Sequence, residues 1–155
     1  MNYFEFLLPT GLAVLLGGVV GLERQIRGHA AGLRTHMLVS LSAAIFVLAC
    51  ETMTADSAAE MTRVVQGIAA GVGFIGAGTI LKTHHDHAVS GLTTATTIWL
   101  SAAVGTACGL DQYSLACTSV LMTVVVLVVL RPIESYFGKK PKGQGSDEAP
   151  ISRLS

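Results

Sequence analysis

Residues 67–82 read Gly67-Ile-Ala-Ala-Gly-Val-Gly-Phe-Ile-Gly-Ala-Gly-Thr-Ile-Leu-Lys82, five glycines in an otherwise almost purely apolar run. Gly71, Gly73 and Gly76 match the letters of the G-x-G-x-x-G dinucleotide fingerprint. That fingerprint requires a preceding strand, a βαβ unit and an acidic residue about 20 positions later. Here the flanks are helical and apolar, and Thr96 stands in the place of the acid. The stretch instead predicts a membrane-spanning helix whose glycines allow neighbouring helices to approach closely.

The composition of the whole chain supports this interpretation. The 155 residues are 51% hydrophobic and 13% charged, and the mean hydropathy is +0.60. An ordinary soluble domain has about 25% charged residues, so this chain lacks the charge that a soluble surface needs. Several apolar runs reach about 18 residues, which is enough to cross the hydrocarbon core of a bilayer. We therefore predict a small all-α membrane protein with the lipid bilayer as its main environment.

Five transmembrane helices are predicted, followed by a basic tail. The spans cover about residues 3–22, 35–50, 63–81, 91–109 and 113–130, and together they form one transmembrane domain over residues 1–130. Residues 131–155 are basic and rich in Pro, Gly and Ser, which is typical of a disordered segment. The first residues carry Glu5 and no basic stretch, so we expect the first apolar segment to be retained rather than removed as a signal peptide.

The distribution of Lys and Arg predicts the orientation of the five spans. Nine of the ten basic residues fall on one side of the membrane under this topology, and only Arg63 falls on the other. Because basic loops stay in the cytoplasm, we expect the N-terminus outside and the C-terminus in the cytoplasm. A four-span topology would place the basic tail on the wrong side.

Small residues at helical spacing predict where the helices touch. At about 100° per residue, the third span presents glycines on two opposite faces, which implies close neighbours on two sides. GxxxG pairs also occur in the first, third and fourth spans. The predicted helix-packing residues are Gly17, Gly21, Gly67, Gly71, Gly73, Gly76, Gly78, Gly105 and Gly109.

A short motif that occurs twice in the sequence suggests an internal repeat. Gly32-Leu33-Arg34-Thr35 and Gly91-Leu92-Thr93-Thr94 each follow a glycine-rich span and each open a returning helix. The repeated motif is compatible with two helical hairpins, spans 1–2 and 3–4, in the same orientation about an axis along the membrane normal. Two helix N-termini at the cytoplasmic face, with Arg34 beside them, would suit an anion such as a lipid phosphate or a partner's carboxylate. Simple helix capping by Gly and Thr is the alternative.

These motifs resemble the MgtC/SapB family. The resemblance covers about residues 4–130 and is carried by Gly21-Leu22-Glu23-Arg24-Gln25, Ala31-Gly32-Leu33-Arg34-Thr35-His36, the run from Gly71 to Ile80, Gly91-Leu92-Thr93-Thr94-Ala95, Arg63, and the run from Trp99 to Gly105. Four separate motifs in the right order make it specific.

The resemblance implies a bacterial inner-membrane protein with a five-span domain. Family members are linked to growth in low magnesium, survival inside host cells and acid stress, and one role is restraint of the F-type ATP synthase through the membrane domain. Longer members carry a soluble C-terminal domain after the fifth span. About 25 residues follow the fifth span here, too few for a core of their own, so we expect a short form without regulation through such a domain.

Polar residues near the predicted cytoplasmic face are the candidate functional residues: Glu23, Arg24, Arg34, Thr35, Gly91, Thr93 and Thr94. Charges at membrane ends often act only as interfacial anchors. The functional interpretation is an ion-pair cluster that fixes this face of the bundle or binds a partner. The family resemblance falls on the same positions.

The loop between the third and fourth spans contains His84, His85, Asp86 and His87, a run that superficially suggests a metal site. Consecutive residues cannot all turn toward one ion without a flexible loop, and no nearby Cys or Glu completes a tetrahedral set. We favour a solvated turn, with metal binding as the alternative. No cofactor and no nucleic-acid partner is predicted.

The leading hypothesis is a non-enzymatic regulator that acts by helix–helix contact with itself or with another membrane protein. The sequence shows no catalytic set and no phosphorylation or nucleotide motif. The alternative is a transporter or channel for magnesium or another small solute. Such a path requires polar groups at mid-membrane, where these spans offer mostly Gly, Ala and Thr.

Overall fold

A computed structural model describes residues 3–54, 57–82 and 89–137. Five helices are present there: α1 (Tyr3–Ile26), α2 (Leu33–Thr54), α3 (Ala58–Ala77), α4 (Leu92–Gly109) and α5 (Tyr113–Phe137). Two short strands, β1 (Leu81–Lys82) and β2 (Val89–Ser90), pair antiparallel between α3 and α4. The predicted all-helical architecture with five helices is confirmed.

Three of the helices are long and apolar enough to cross a membrane. These segments are Glu5–Ile26 in α1, Leu33–Met53 in α2 and Tyr113–Leu130 in α5. The other two are less apolar: α3 carries Glu60, Arg63 and Gln66 in its first half, and α4 is rich in threonine. The chain therefore has the character of a membrane protein, while five crossings, the orientation and the hairpin repeat stay predictions.

Helix α5 continues beyond its predicted end. We expected the fifth span to stop near residue 130 and a disordered tail to follow, but the helix runs on to Phe137. A proline such as Pro132 removes one backbone donor and strains the turn before it, but it does not prevent the residues after it from adopting helical angles. The predicted disorder of residues 138–155 lies outside the described residues.

Helix α4 is the centre of the bundle. It packs against all four other helices, and eleven of its eighteen residues are buried. Small residues explain this position, because Ala102, Gly105 and Ala107 let four neighbours approach its backbone. Helix α5, by contrast, exposes most of its bulky Leu and Val side chains, as is expected for a helix that faces acyl chains.

Gly17 of α1 and Gly105 and Gly109 of α4 lie at close helix contacts. A methyl group added at Gly17 would lie 2.7 Å from the carbonyl oxygen of His36, and one at Gly109 would lie 2.9 Å from that of Ala44. At Gly105 it would overlap the carbonyl oxygen of Ser40. Only glycine fits these three positions without a backbone shift.

The glycines of α3 lie in different surroundings. A methyl group added at Gly67, Gly71 or Gly73 would meet no atom within 4 Å, and one at Gly76 would lie 3.4 Å from the carbonyl oxygen of Ala95, an ordinary contact distance. Gly78 approaches only the preceding turn of its own segment. The predicted close neighbours on two faces of this helix are therefore not supplied by the described part of the single chain, because α3 lies at the edge of the bundle against α2 and α4.

The connection from α3 to α4 depends on Gly91. Its φ of +90° lies in the left-handed region, and a methyl group there would overlap the carbonyl oxygen of Thr79. This residue therefore joins β2 to α4 for conformational reasons. The predicted metal candidates His84, His85, Asp86 and His87 lie outside the described residues.

Candidate functional site: a buried polar cluster

A polar cluster lies inside the bundle near the end where α1 finishes and α2 and α4 begin, the end predicted to be cytoplasmic. We call it the polar cluster, and it consists of Glu23, Arg24, His36, Ser40, Thr94, Thr97 and Ser101. Polar side chains are costly inside a membrane protein unless they find partners. Their shared location on α1, α2 and α4 makes this cluster the candidate functional site.

Arg24 connects α1 to α4. Its side chain is almost completely buried, and its Nη2 donates a hydrogen bond to Oγ1 of Thr94 at 3.1 Å. The neighbouring Glu23 carboxylate lies 4.0 Å from Nη1 of Arg24 and forms an ion pair with Nε of Arg27 one turn later. The negative charge of Glu23 therefore lies between two guanidinium groups at the end of α1.

Some polar atoms of this charged group lack a hydrogen bond. The Glu23 oxygens and Nε of Arg24 are buried and make no hydrogen bond of acceptable geometry among the described residues. The Glu23 carboxylate contacts Arg27 but makes no well-aligned hydrogen bond with it, so the interaction between these two side chains is mainly electrostatic. Such an arrangement is sensitive to loss of either arginine, because an uncompensated buried charge is strongly destabilising.

His36 connects α2 to α4 and is completely buried. Its Nδ1 lies 2.8 Å from the carbonyl oxygen of Gly32, and because a carbonyl only accepts, Nδ1 carries a proton. Its Nε2 lies 3.1 Å from Oγ1 of Thr97, which is also 3.0 Å from the carbonyl oxygen of Thr94. The single hydroxyl proton of Thr97 can serve only one of these acceptors, so a neutral His36 and the Thr94 carbonyl compete for it.

The cluster ends at two serines in the α2–α4 interface. Ser101 donates to the carbonyl oxygen of Thr97 at 3.1 Å, whereas the buried hydroxyl of Ser40 has no partner among the described residues. Farther along the same interface the buried side chains are apolar, and they include Ala44, Val47, Val104 and Cys108. Thr106, also buried beyond them, donates to the carbonyl oxygen of Ala102 in its own helix. The described hydrogen bonds between side chains of different helices therefore lie in one half of the bundle.

The residues predicted for this face separate into two groups. Glu23, Arg24 and Thr94 come together in the cluster, whereas Arg34 and Thr93 are exposed and Thr35 is half-buried. The two Gly-Leu-x-Thr segments share one local feature: the Gly32 carbonyl accepts from the amide of His36 and the Gly91 carbonyl from that of Ala95. The anion site predicted there stays a prediction.

Sequence reasoning missed His36, Ser40, Thr97 and Ser101. The available signal was the position of His36 within an apolar span, because an ionisable residue in such a segment is a functional candidate by default. The helical spacing of Thr94, Thr97 and Ser101 was the second signal, since residues three and four apart share one face. Among the described residues no group of three His, Cys, Asp or Glu side chains is placed to hold a metal ion.

His29 in the loop after α1 is the one ionisable group near the cluster and outside the spanning segments with a shifted pKa. Partial desolvation against α1 lowers the pKa of this exposed imidazole below its ordinary value, and the positive charge of Arg24 lowers it further. Glu23 acts in the opposite direction with a smaller effect. At neutral pH the loop therefore receives less positive charge from His29 than from a histidine with an ordinary pKa.

Comparison with known proteins places these residues in a family. The chain matches the MgtC family over residues 11–136, a range that includes every member of the polar cluster. The chain belongs to the MgtC family. It is 46% identical over 121 residues to Protein MgtC of Brucella abortus, an alignment that covers 78% of this chain and 49% of that protein.

Two further relatives extend the comparison. The chain is 35% identical over 154 residues to Protein MgtC of Salmonella paratyphi A, covering 99% of this chain and 64% of that protein. It is 41% identical over 141 residues to the uncharacterized protein slr0014 of Synechocystis sp., covering 91% of this chain and 58% of that protein. The chain thus spans about half to just under two thirds of the length of these relatives. No solved structure matches it.

Proposed function

We propose that this protein is a non-enzymatic regulator of the bacterial inner membrane that acts through helix–helix contact with other membrane proteins. By its family membership we connect it with adaptation to low magnesium and acid stress and with virulence. The F-type ATP synthase is the partner that we would test first. The polar cluster has a structural part in this proposal: it holds α1, α2 and α4 together, so that α3 presents its surface from a fixed support.

The observation that carries the proposal is an open apolar groove between α2 and α3. It has a volume of about 730 Å³ and is lined on the α2 side by Leu38, Ala43 and Phe46 and on the α3 side by Gly67 and Gly71. A methyl group added at either glycine would meet no atom of the rest of the described chain within 4 Å. In a membrane, glycine on a helix surface allows another helix to pack closely, so this groove suits a transmembrane helix of a partner.

The alternative function, transport of magnesium or another small solute, receives less support. A transport path needs polar groups that continue across the membrane. The polar cluster stops at Ser40 and Ser101, and Ala44, Val104 and Cys108 are buried beyond it. Magnesium-dependent flux in liposomes that is lost in Glu23→Ala would contradict the regulator proposal.

The groove is tested by filling it. Gly71→Leu places a bulky side chain in the groove without meeting an atom of the described chain, and Gly11→Leu on α1 is a matched control because Gly11 is equally unobstructed but outside the groove. We expect Gly71→Leu to lose co-purification with F-type ATP synthase subunits and to impair growth in low magnesium, while Gly11→Leu retains both. Equal behaviour of the two folded variants would contradict a role for the groove.

A further inference from the structure

The groove between α2 and α3 has a positive charge beside one of its ends. Arg34 lies one turn before Leu38, the groove residue nearest the start of α2, and residues four apart share one side of a helix. The Arg34 side chain is exposed and forms no ion pair with the side chains that the structure describes. An uncompensated guanidinium therefore stands at the end of the groove that is predicted to be cytoplasmic.

The opposite end of the groove has no such excess of charge. Glu60 and Arg63 lie on α3 one turn before Val64 and Gly67, which line the groove there. These two side chains form a long ion pair of 3.9 Å with each other. Their charges largely cancel for a group that approaches from outside, so only the Arg34 end favours one sign of charge.

The dimensions of the groove suit one face of a helix. On α3 its lining runs from Val64 to Ile75, about 16 Å at the helical rise of 1.5 Å per residue. A volume of about 730 Å³ over this length corresponds to a width of about 7 Å. The contact face of a helix about 10–12 Å across enters a groove of this width. A single acyl chain is thinner, and it would leave part of the lining without dispersion contacts.

A hydroxyl group lies farther along the same side of α2. Ser42 is the polar side chain among the residues that line the groove, and it lies about two turns from Arg34. It is exposed, and lipid tails offer a hydroxyl no hydrogen bond. A Ser or Thr on a facing helix does offer one, so the groove matches a polypeptide better than a lipid chain.

We propose that the groove selects a transmembrane helix with an Asp or Glu at its cytoplasmic end and a Ser or Thr about two turns deeper. This inference rests on the proposed function, because it names the kind of partner for the same groove. Most transmembrane helices carry Lys or Arg on the cytoplasmic side, and Arg34 repels these. The selection therefore works by repulsion of the common class as well as by attraction of the uncommon one.

Synthetic helices test this selection. The full-length protein in phosphatidylcholine vesicles carries an acceptor dye on Cys117, which is exposed while Cys50 and Cys108 are buried. Three donor-labelled peptides share one Leu-Ala core with a Ser two turns from each end, and they differ only in having Glu, Gln or Lys at both ends. We expect affinity, measured by energy transfer, to fall in the order Glu, Gln, Lys, with about a three- to tenfold difference between Glu and Lys. Equal affinities would overturn the proposal.

Reversing the charge at Arg34 assigns the preference to this residue. Arg34→Glu should invert the order, so that the Lys-ended helix binds most tightly, and a glutamate is well tolerated in the first turn of a helix. Leu92→Glu is the matched control, because Leu92 is exposed in the first turn of α4 at the same end of the bundle and outside the groove. Its order should match that of the parent. An unchanged order in Arg34→Glu, or the same inversion in both variants, would contradict selection by Arg34.

Filling the groove separates failure of this inference from failure of the proposed function. Energy transfer that is lost in Gly71→Leu and kept in Gly11→Leu, but is indifferent to the peptide ends, would overturn only the selection by charge. No Gly71-dependent transfer with any of the three peptides would overturn the groove as a helix site as well. Complete displacement of the Glu-ended helix by phosphatidylglycerol would identify an anionic lipid as the occupant, and displacement by unlabelled protein would identify a second copy; either result would overturn the proposal.

Discussion

The α1–α2–α4 interface and helix α3 contain the same small-residue motifs in opposite environments. At the interface, Gly17 and Gly105 are in such close contact that a methyl group would collide with the backbone of α2. On α3, Gly67 and Gly71 have open space around them. Gly17 and Gly105 therefore lie between helices of one chain, whereas Gly67 and Gly71 lie on a surface that no other helix of the described chain covers.

The comparison shows that a GxxxG pair indicates possible close approach without identifying the neighbour. The interface has a second component that α3 lacks: buried polar groups that bridge the helices, such as Arg24 to Thr94 and His36 to Thr97. These contacts select one arrangement of α1, α2 and α4. On α3 the described polar contacts stay within the helix: Thr62 donates to the carbonyl oxygen of Ala58, and Arg63 forms a long ion pair with Glu60.

The largest expected difference is in the stability of two leucine variants, one at the packed Gly105 and one at the open Gly71. Gly105→Leu forces a side chain against the carbonyl of Ser40, and overpacking of this severity should destabilise the fold by about 3 kcal/mol or more. Gly71→Leu meets no atom within 4 Å at its first carbon, so its stability should stay within about 0.5 kcal/mol of the parent. Thermal unfolding in a fixed detergent, followed by circular dichroism, measures both.

Two results would break this comparison. One is a folded Gly105→Leu with a normal unfolding temperature, which would mean that α2 and α4 are not in contact there. The other is unfolding of Gly71→Leu, which would mean that α3 is packed inside its own chain. Gly11→Leu serves as the control for the cost of leucine at an unobstructed glycine, since a methyl group at Gly11 also meets nothing within 4 Å.

The sequence predicts the helices well and their arrangement less well. Hydropathy and the positions of polar loops are local properties, so five helices were predictable. Which helix lies at the centre of the bundle and which at its edge was not predictable, because this depends on which helices pack against each other. The glycine-rich α3 was expected to have close neighbours on two sides, whereas the threonine-rich α4 takes the central position and its hydroxyls satisfy themselves within the helix or with Arg24 and His36.

The part of the candidate site that contains charged residues was predictable from the sequence. Glu23 and Arg24 stand out at the end of an apolar span, and Thr94 belongs to the repeated Gly-Leu-x-Thr motif. Nothing local distinguishes Thr94 from the adjacent Thr93, yet the former is buried and the latter exposed. A helix places neighbours about 100° apart, and only the position of α1 decides which of the two faces Arg24.

A smaller effect is expected from the hydroxyl that faces His36. Thr97→Val keeps the shape of the side chain and leaves Nε2 of the buried imidazole without its partner, which should cost about 1–3 kcal/mol. Thr96→Val is the matched control, because Thr96 is exposed and bonds only to the carbonyl oxygen of Thr93. Equal unfolding temperatures for the two variants would show that the His36–Thr97 contact contributes nothing to stability.

The smallest expected changes in stability are those of the two serines at the end of the polar cluster. One alanine variant should be more stable than the parent and the other less stable. Ser40 buries a hydroxyl without a partner, so Ser40→Ala removes an unsatisfied polar atom and should stabilise the bundle by about 1 kcal/mol. Ser101 donates to the carbonyl oxygen of Thr97, so Ser101→Ala should destabilise it by about 0.5–1.5 kcal/mol. Both changes delete a single oxygen from a completely buried side chain, so volume effects cancel in the comparison. A destabilised Ser40→Ala would mean that this hydroxyl is satisfied after all, and the polar cluster would then extend farther along the α2–α4 interface than its hydrogen bonds indicate.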